Sequence, residues 1–286
     1  MADSKTLALL GCGLIGGSFA LAARQAGLID QVTGYSVPQQ HAEHFYEQGL
    51  IHKVATNAAD AVRDADVVLL AAPVAAIPGL LTHIATALPA HALIMDVGST
   101  KRSIQSAAQQ ALGDHYPRFV PTHPIAGKEK AGSSEPFATL YQNRTVVLCP
   151  DELTDAQALQ QAQQLWQAIG AHPRLMGAAA HDRGLAAASH LPHLIAFAYM
   201  DALLNQPDCD ELLALGGPGF RDFSRIAGCE ASIWRDILPD NRDQLIPLLN
   251  AVRQSLDQLE KVINQDDTNH LEAILSRASQ ARIQWK

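Results

Sequence analysis

Apolar residues fall in two different rhythms along this chain. In the first half they form short unbroken runs, each followed by a longer amphipathic stretch. Residues 6–10, 66–73 and 93–97 come nearest to such runs, and the stretches 31–35, 118–121, 145–148 and 174–176 also read as strands. A short apolar run without alternation is the pattern of a strand buried on both faces of a parallel sheet. Between them, residues 14–25, 39–48, 75–88, 101–112 and 155–169 carry helical periodicity. Gly27 and Gly49 stand where C-terminal caps of the first two helices belong. Ser99 or Thr100 is placed to cap the helix that starts at Lys101. Strands alternating with helices of this length predict βαβ units, and right-handed crossovers then predict a doubly wound, mostly parallel sheet.

The rhythm changes after Gly177. Residues 183–204, 208–215, 241–264 and 268–284 read as helices, and runs of β-branched residues all but vanish. The expected organisation is therefore an α/β domain over residues 1–176 and an all-α domain over 177–286. No low-complexity linker separates them, so the boundary is expected to be a packed junction, a common place for a ligand cleft. The length of 286 residues fits about two domains at roughly 150 residues each.

Composition narrows the function classes. Hydrophobic residues make up 48% of the chain and charged residues 17%, which excludes a disordered, solvating protein. With 21 Lys+Arg against 29 Asp+Glu, the net charge of −8 argues against a nucleic-acid partner, which needs a basic face. The four cysteines, Cys12, Cys149, Cys209 and Cys229, form no C-x-x-C pair, so the expected setting is a reducing cytoplasm, with no disulfide framework and no zinc knuckle. The apolar run before Cys12 is shorter than a secretory signal core, and four glycines interrupt the uncharged stretch 6–23. Neither a signal peptide nor a membrane span is expected.

The strongest local motif is Gly11-Cys12-Gly13-Leu14-Ile15-Gly16-Gly17, which leaves a predicted strand and opens a predicted helix. In that context G-x-G-x-x-G is the fingerprint of a Rossmann-type dinucleotide site. Gly11 permits the tight turn, Gly13 lets a pyrophosphate approach the helix N-terminus, and Gly16 lets helix and strand pack closely. Leu14, Ile15 and, after the strand 66–73, Pro73 complete the cofactor-binding set. Ser36 stands at the end of the second strand, where an NAD-selecting carboxylate is usual. A serine does not repel a 2′-phosphate, and Gln39 and Gln40 add donors, although no arginine follows. NADP is the expected cofactor and NAD the alternative.

Candidate chemistry gathers at a few positions. His123, in Pro121-Thr122-His123-Pro124, follows a predicted parallel strand whose carboxyl end faces the ligand crevice. Histidine suits a hydroxyl-proton acceptor because it titrates near neutrality. The plainer alternative is a turn histidine bonded to backbone. His190 and His193, in Ser189-His190-Leu191-Pro192-His193, share one helix face at i,i+3. Lacking a third ligand at helical spacing, they read as a buried polar or substrate-facing pair rather than a metal site. Ser99 lies at another strand end, as helix cap or as a hydrogen-bonding group at the nicotinamide edge. Arg225, beyond the glycine-rich stretch Gly216-Gly217-Pro218-Gly219, is a candidate carboxylate clamp, with Arg221 as its alternative.

In order and spacing these motifs resemble the prephenate/arogenate dehydrogenase family of tyrosine biosynthesis. The resemblance rests on the glycine motif, Asp96-Val97-Gly98-Ser99-Thr100-Lys101, His123-Pro124-Ile125-Ala126-Gly127-Lys128-Glu129, Ser189–His193, Gly219–Ala227 and Trp234-Arg235-Asp236, and covers nearly the whole chain. It implies a Rossmann-type nucleotide-binding domain followed by an all-α domain that contributes to substrate binding and joins two copies as a homodimer. It implies oxidative decarboxylation of a cyclohexadienol, prephenate or arogenate, to an aromatic product without a metal. By resemblance His123 accepts the proton of the C4 hydroxyl, Ser99 bonds the same region and the nicotinamide, and His190 lines the active site. Arg225 binds a substrate carboxylate, Glu129 matches an acidic position near the cleft, and His193 is expected to face the substrate. Two other readings compete. A hydroxyacid or imine reductase shares the two-domain plan, but the hydroxyacid type relies on a helical-domain lysine, and Lys261 is the only lysine between Gly177 and Gln265. A non-catalytic NAD(P) sensor would not need His123, Ser99 and Arg225 together.

Overall fold

The computed structural model describes residues 5–126 and 135–285. The apolar runs form a sheet of six parallel strands: β1 (Thr6–Leu10), β2 (Gln31–Tyr35), β3 (Lys53–Val54), β4 (Val67–Leu70), β5 (Leu93–Asp96) and β6 (Phe119–Val120). Their order is β3-β2-β1-β4-β5-β6, so the direction of winding reverses beside β1. In such a sheet the crevice outside the carboxyl ends of the strands at the reversal receives ligands.

Strand residues alternate between two cores. Leu7 and Leu9 of β1 face α1 (Leu14–Gln25) and its Phe19, while Ala8 and Leu10 belong to the opposite core. The other helices of this half are α2 (Gln40–Glu47), α3 (Ala58–Val62), α4 (Ile77–Ile84), α5 (Arg102–Ala111) and α6 (Ala156–Ala168). Trp166 of α6 joins Phe19 in the first core, at 4.9 Å between ring centroids. Ile77, Leu81 and Ile104 fill the second. A smaller sheet follows, with β7 (Thr122–Pro124) antiparallel to β8 (Thr145–Leu148), and β8 parallel to β9 (His172–Leu175).

The helical half opens with α7 (Ala178–Leu185), a π-helical turn over Ala186–His190 and α8 (Leu191–Leu204). The expected helix 183–204 thus begins five residues earlier, and its kink is a widened turn. Pro192 offers no N–H and its ring crowds the carbonyl four residues back, which the wider turn before it relieves. Then come α9 (Cys209–Ala214), α10 (Pro218–Ser224), a 3-10 turn over Arg225–Gly228, and α11 (Ala231–Asp240). Where a glycine-rich turn was expected, Pro218 starts α10 from a position that needs no N–H. Trp234 and Ile237 of α11 insert into the second core of the sheet.

By packing, residues 1–241 form one compact unit and residues 242–286 another. The change of element type at Gly177 therefore falls inside the first unit. The second unit is the pair α12 (Arg242–Asn264) and α13 (Thr268–Gln284), with Asp267 capping α13 by accepting from the His270 amide at 3.0 Å. No helix among the described residues is long and apolar enough to cross a membrane.

Candidate active site

The glycine loop leaves β1 and enters α1. Gly11 has φ +114°, and a Cβ there would stand 2.3 Å from the Ala71 carbonyl oxygen, so the close crossing with β4 demands glycine. A Cβ on Gly16 would meet Ala71, Gly11 and Leu9, each at 2.7 Å. Gly13 differs, since a Cβ there would meet nothing within 4 Å. It is the N-cap of α1, with no side chain capping the helix and no acidic residue in the first turn. The open face over Gly13 and the uncapped amides after it fit the pyrophosphate of a dinucleotide. Leu14 and Ile15 are half-buried in that first turn, and Pro73 is exposed just past β4. Ser36, 7% exposed, closes the far side by accepting from the Cys12 amide at 3.5 Å. Burial pushes the Cys12 thiol up to about 12, which makes it an inert packing group.

The next strand ends carry charge. Asp96, the last residue of β5, is wholly buried and paired with the equally buried Lys101. Asp96 also accepts from the amides of Gly98 at 2.8 Å and Thr122 at 3.1 Å. Lys101 Nζ donates to the Thr122 carbonyl at 2.8 Å, and the Thr122 hydroxyl donates to the Asp96 carbonyl. Thr122 is thus gripped at its amide, carbonyl and hydroxyl, and its neighbour His123 is held at one place over the end of the sheet. His123 lies in β7, so the expected turn is a short strand.

Behind His123 stands a polar chain. His123 Nδ1 is 2.8 Å from His181 Nε2, and His181 Nδ1 is 2.8 Å from Asp182 Oδ1. Asp182 also accepts from the amides of Lys101 at 2.8 Å and Arg102 at 3.0 Å, and from Arg102 Nε at 3.1 Å. Burial pushes this carboxyl up, but His181 and the two amides outweigh it, so its pKa is lowered and it stays ionised. A carboxylate only accepts, so His181 donates from Nδ1, and as a neutral ring it receives at Nε2. His123 then donates from Nδ1, and its Nε2 carries a lone pair. Burial first, then His181, Lys101 and His190, hold the His123 pKa well below the usual imidazole value. The result is a neutral, oriented proton acceptor.

Asp182 also does what Ser99 and Thr100 were expected to do. The amides it receives from Lys101 and Arg102 are the first of α5, whose N-cap Lys101 has no capping side-chain bond of its own. Ser99 is left half-buried at the end of β5 with its hydroxyl released from capping.

The helical half adds two more rings. His190 is 1% exposed, and Asn241 Nδ2 lies 3.1 Å from its Nδ1. His193 is half-buried, donates from Nδ1 to the Ser189 carbonyl at 2.9 Å, and stacks on Trp234 at 3.8 Å. Both rings face Trp234, as the i,i+3 spacing implied. Burial lowers the His193 pKa, and Arg225 adds to this, which places the Arg225 charge near that ring. Arg225 itself is exposed in the 3-10 turn after α10. Glu129 lies outside the described residues. Among the described residues no three His, Cys, Asp or Glu side chains are grouped to share a cation.

Sequence reasoning overlooked Asp96, Lys101, His181, Asp182 and Asn241 as site residues. One signal was available: Asp96 is a carboxylate ending a wholly apolar strand, with a cation five residues on. His181-Asp182 sits among alanines with no motif around it.

Comparison with known proteins places these residues in context. The sequence profile of the prephenate dehydrogenase nucleotide-binding domain matches residues 19–175, and that of the prephenate dehydrogenase dimerization domain matches residues 177–277. The cyclohexadienyl dehydrogenase of Zymomonas mobilis is 34% identical over 99% of this chain and 96% of its own length. The prephenate dehydrogenase of Bacillus subtilis is 31% identical over 93% of this chain and 72% of its own. The crystal structure of A. aeolicus prephenate dehydrogenase in complex with hydroxyphenyl propionate and NAD+ superposes with a TM-score of 0.90 at 30% identity, covering 100% of this chain and 99% of that one. Synechocystis arogenate dehydrogenase superposes at 0.79 with 28% identity, covering 98% and 100%.

Proposed function

This chain belongs to the prephenate dehydrogenase family, and from that premise we propose that it oxidises and decarboxylates prephenate, arogenate or both, yielding 4-hydroxyphenylpyruvate or tyrosine. It is an oxidoreductase of the NAD(P)-dependent kind. The observation that carries the reading is the His123–His181–Asp182 chain, which leaves a lone pair on His123 Nε2.

A nicotinamide cofactor, held by the Gly11–Gly16 loop with its ring toward Ser99, would supply the hydride acceptor for C4 of the substrate. His123 Nε2 draws off the C4 hydroxyl proton in the same step, and the positive charge that develops is spread toward Asp182 through His181. The new ketone, conjugated with the ring diene, takes up the electron pair as the ring carboxylate leaves as carbon dioxide. The ring becomes aromatic, and no covalent nucleophile is needed. Ser99 hydrogen-bonds the C4 region, Arg225 binds a substrate carboxylate, and His190 and His193 line the ring with Trp234. We place Glu129 near the substrate side chain by family resemblance. The protein's contribution is orientation and charge placement.

We read the cofactor as NADP. Ser36 puts no carboxylate at the end of β2, and Gln39 and Gln40 follow at the start of α2. NAD is the second reading, favoured by the NAD+ in the A. aeolicus relative's complex. We read the protein as a cytoplasmic homodimer joined through its helical half, on the match of residues 177–277 to a dimerization domain.

The test is steady-state turnover with NAD and NADP, each against prephenate and arogenate. Turnover in one or more combinations, abolished in His123→Asn with cofactor binding retained, supports the reading and names substrate and cofactor. Folded, cofactor-binding protein inactive with all four overturns it.

A further inference from the structure

Asp182 is bonded at two ends, and the two ends set two histidines oppositely. Its carboxylate fixes His181 and through it makes His123 Nε2 an acceptor. Its backbone carbonyl lies 2.8 Å from Asn241 Nδ2. A carbonyl only accepts, so the amide nitrogen of Asn241 must be the atom that faces it. Arg102 Nη2, which only donates, lies 3.4 Å from Asn241 Oδ1 and pins the other end of the amide. The second proton on Nδ2 then points to His190 Nδ1 at 3.1 Å, so that ring nitrogen accepts. A neutral imidazole with an accepting Nδ1 carries its proton on Nε2.

His190 is neutral in this setting. Burial pushes its pKa down to about 4, Asp182 and Asp240 pull the other way, and His181 and His193 add to the lowering. The Trp234 ring meets it edge-on at 6.0 Å. The Nε2–H of His190 has no hydrogen-bond partner among the described residues. Unlike the sealed Trp166 Nε1–H, this N–H is not closed off from solvent, so it is open to a ligand.

We propose that Asn241 is a positioning residue that holds His190 as the Nε2–H tautomer, so that the site offers a histidine acceptor at His123 and a histidine donor at His190, the donor serving an anionic or developing carbonyl oxygen of the substrate. Asn241 is wholly buried and sits at the C-terminal end of α11. A neutral donor there strengthens an oxygen's electron pull without releasing a proton. The role of the donor rests on the function proposed above, whereas the tautomer does not.

The decisive measurement is the ¹⁵N spectrum of the full-length protein labelled at histidine, with signals assigned by single substitutions. At neutral pH His190 is expected to show a protonated Nε2 and a bare Nδ1, and His123 the reverse. Adding 4-hydroxyphenylpyruvate or tyrosine is expected to move the His190 Nε2 proton downfield. In Asn241→Ala the His190 signals should average between tautomers, and kcat/KM should fall about tenfold with cofactor affinity unchanged. Asn241→Asp, which replaces a donor by an acceptor, should put the proton on Nδ1. A wild-type His190 protonated on Nδ1, or no response of its Nε2 proton to either product, overturns the proposal even if neither variant folds. So does an Asn241→Ala enzyme with unchanged tautomer and unchanged kcat/KM. Wild-type protein that turns over no substrate, whatever its tautomers, defeats the proposed function instead.

Discussion

Lys101 and Asp182 meet through the backbone of one and the side chain of the other: the Lys101 amide donates to Asp182 Oδ1 at 2.8 Å, while the lysine ammonium turns away to Asp96. One carboxylate therefore starts a helix and orients the histidine relay of the proposed reaction. Asp182→Asn separates nothing and should damage both. The amide can accept from only some of the donors gathered there, and its NH₂ must face another donor. A wrong histidine tautomer in a comparable relay costs about 10⁴ in rate, so a fall in kcat of about 10²–10⁴ is expected. Stability should fall by about 1–3 kcal/mol for the buried donors left unpaired. Stopped-flow kinetics and denaturant unfolding on the same preparation check both numbers.

The pH dependence of kcat/KM has a defined sign. In the proposed reaction His123 acts unprotonated, and its surroundings lower its pKa from 6.5. Activity should hold steady from neutrality down through pH 6.5 and fall only at lower pH, as the ring gains its proton. A profile whose acidic limb lies at or above 6.5 would show that His123 is not held neutral by burial and its neighbours.

Stability should follow pH in the same direction for a different residue. His190 drops from 6.5 to about 4 on folding, so the folded state keeps it neutral. A base with a depressed folded pKa contributes stability that is complete above its unfolded value and is lost as pH falls toward the folded one. The melting temperature should therefore decline between pH 6.5 and 4. In His190→Gln that decline should be shallower, which differential scanning calorimetry resolves.

The parallel sheet was legible because its central strands are short, mostly apolar and separated by helical stretches, and β1, α1 and β2 fall on the expected residues. β3 and α3 were not, since a two-residue, half-exposed edge strand and a five-residue helix leave too few positions for any period to show. Within the site, residues next to glycine or proline were readable, because backbone demands mark them: Gly11, Gly13, Gly16, His123, His190. The residues behind them were not. His181, Asp182 and Asn241 act through contacts spanning 51 to 81 positions in sequence, and nothing local distinguishes them from polar helix residues.

Cofactor choice is testable at one side chain. Ser36 Oγ takes the Cys12 amide at the end of β2, where a carboxylate would accept from ribose hydroxyls and repel a 2′-phosphate. Ser36→Asp should raise KM for NADP by about tenfold or more, the penalty of bringing like charges together at one site. KM for NAD should stay level or fall. Parallel titrations with both cofactors decide it, and equal effects on the two would remove Ser36 from the selector role.

The glycine loop separates folding from binding within three residues. At Gly11 the backbone is left-handed and an added Cβ would stand 2.3 Å from the Ala71 carbonyl oxygen, so Gly11→Ala must displace β4 or unwind the turn. Strain of that kind costs about 1–3 kcal/mol before the steric overlap is counted. At Gly13 the same methyl meets no protein atom within 4 Å, and alanine leaves the fold untouched. Its methyl would instead occupy the space where a pyrophosphate approaches the α1 amides. Gly11→Ala should therefore lower the melting temperature measurably without ligand. Gly13→Ala should melt like the parent and bind cofactor at least tenfold more weakly by calorimetric titration, the loss of about 1.4 kcal/mol of contact. If Gly13→Ala binds as the parent does, the pyrophosphate does not lie over α1, and the open face at Gly13 has another purpose.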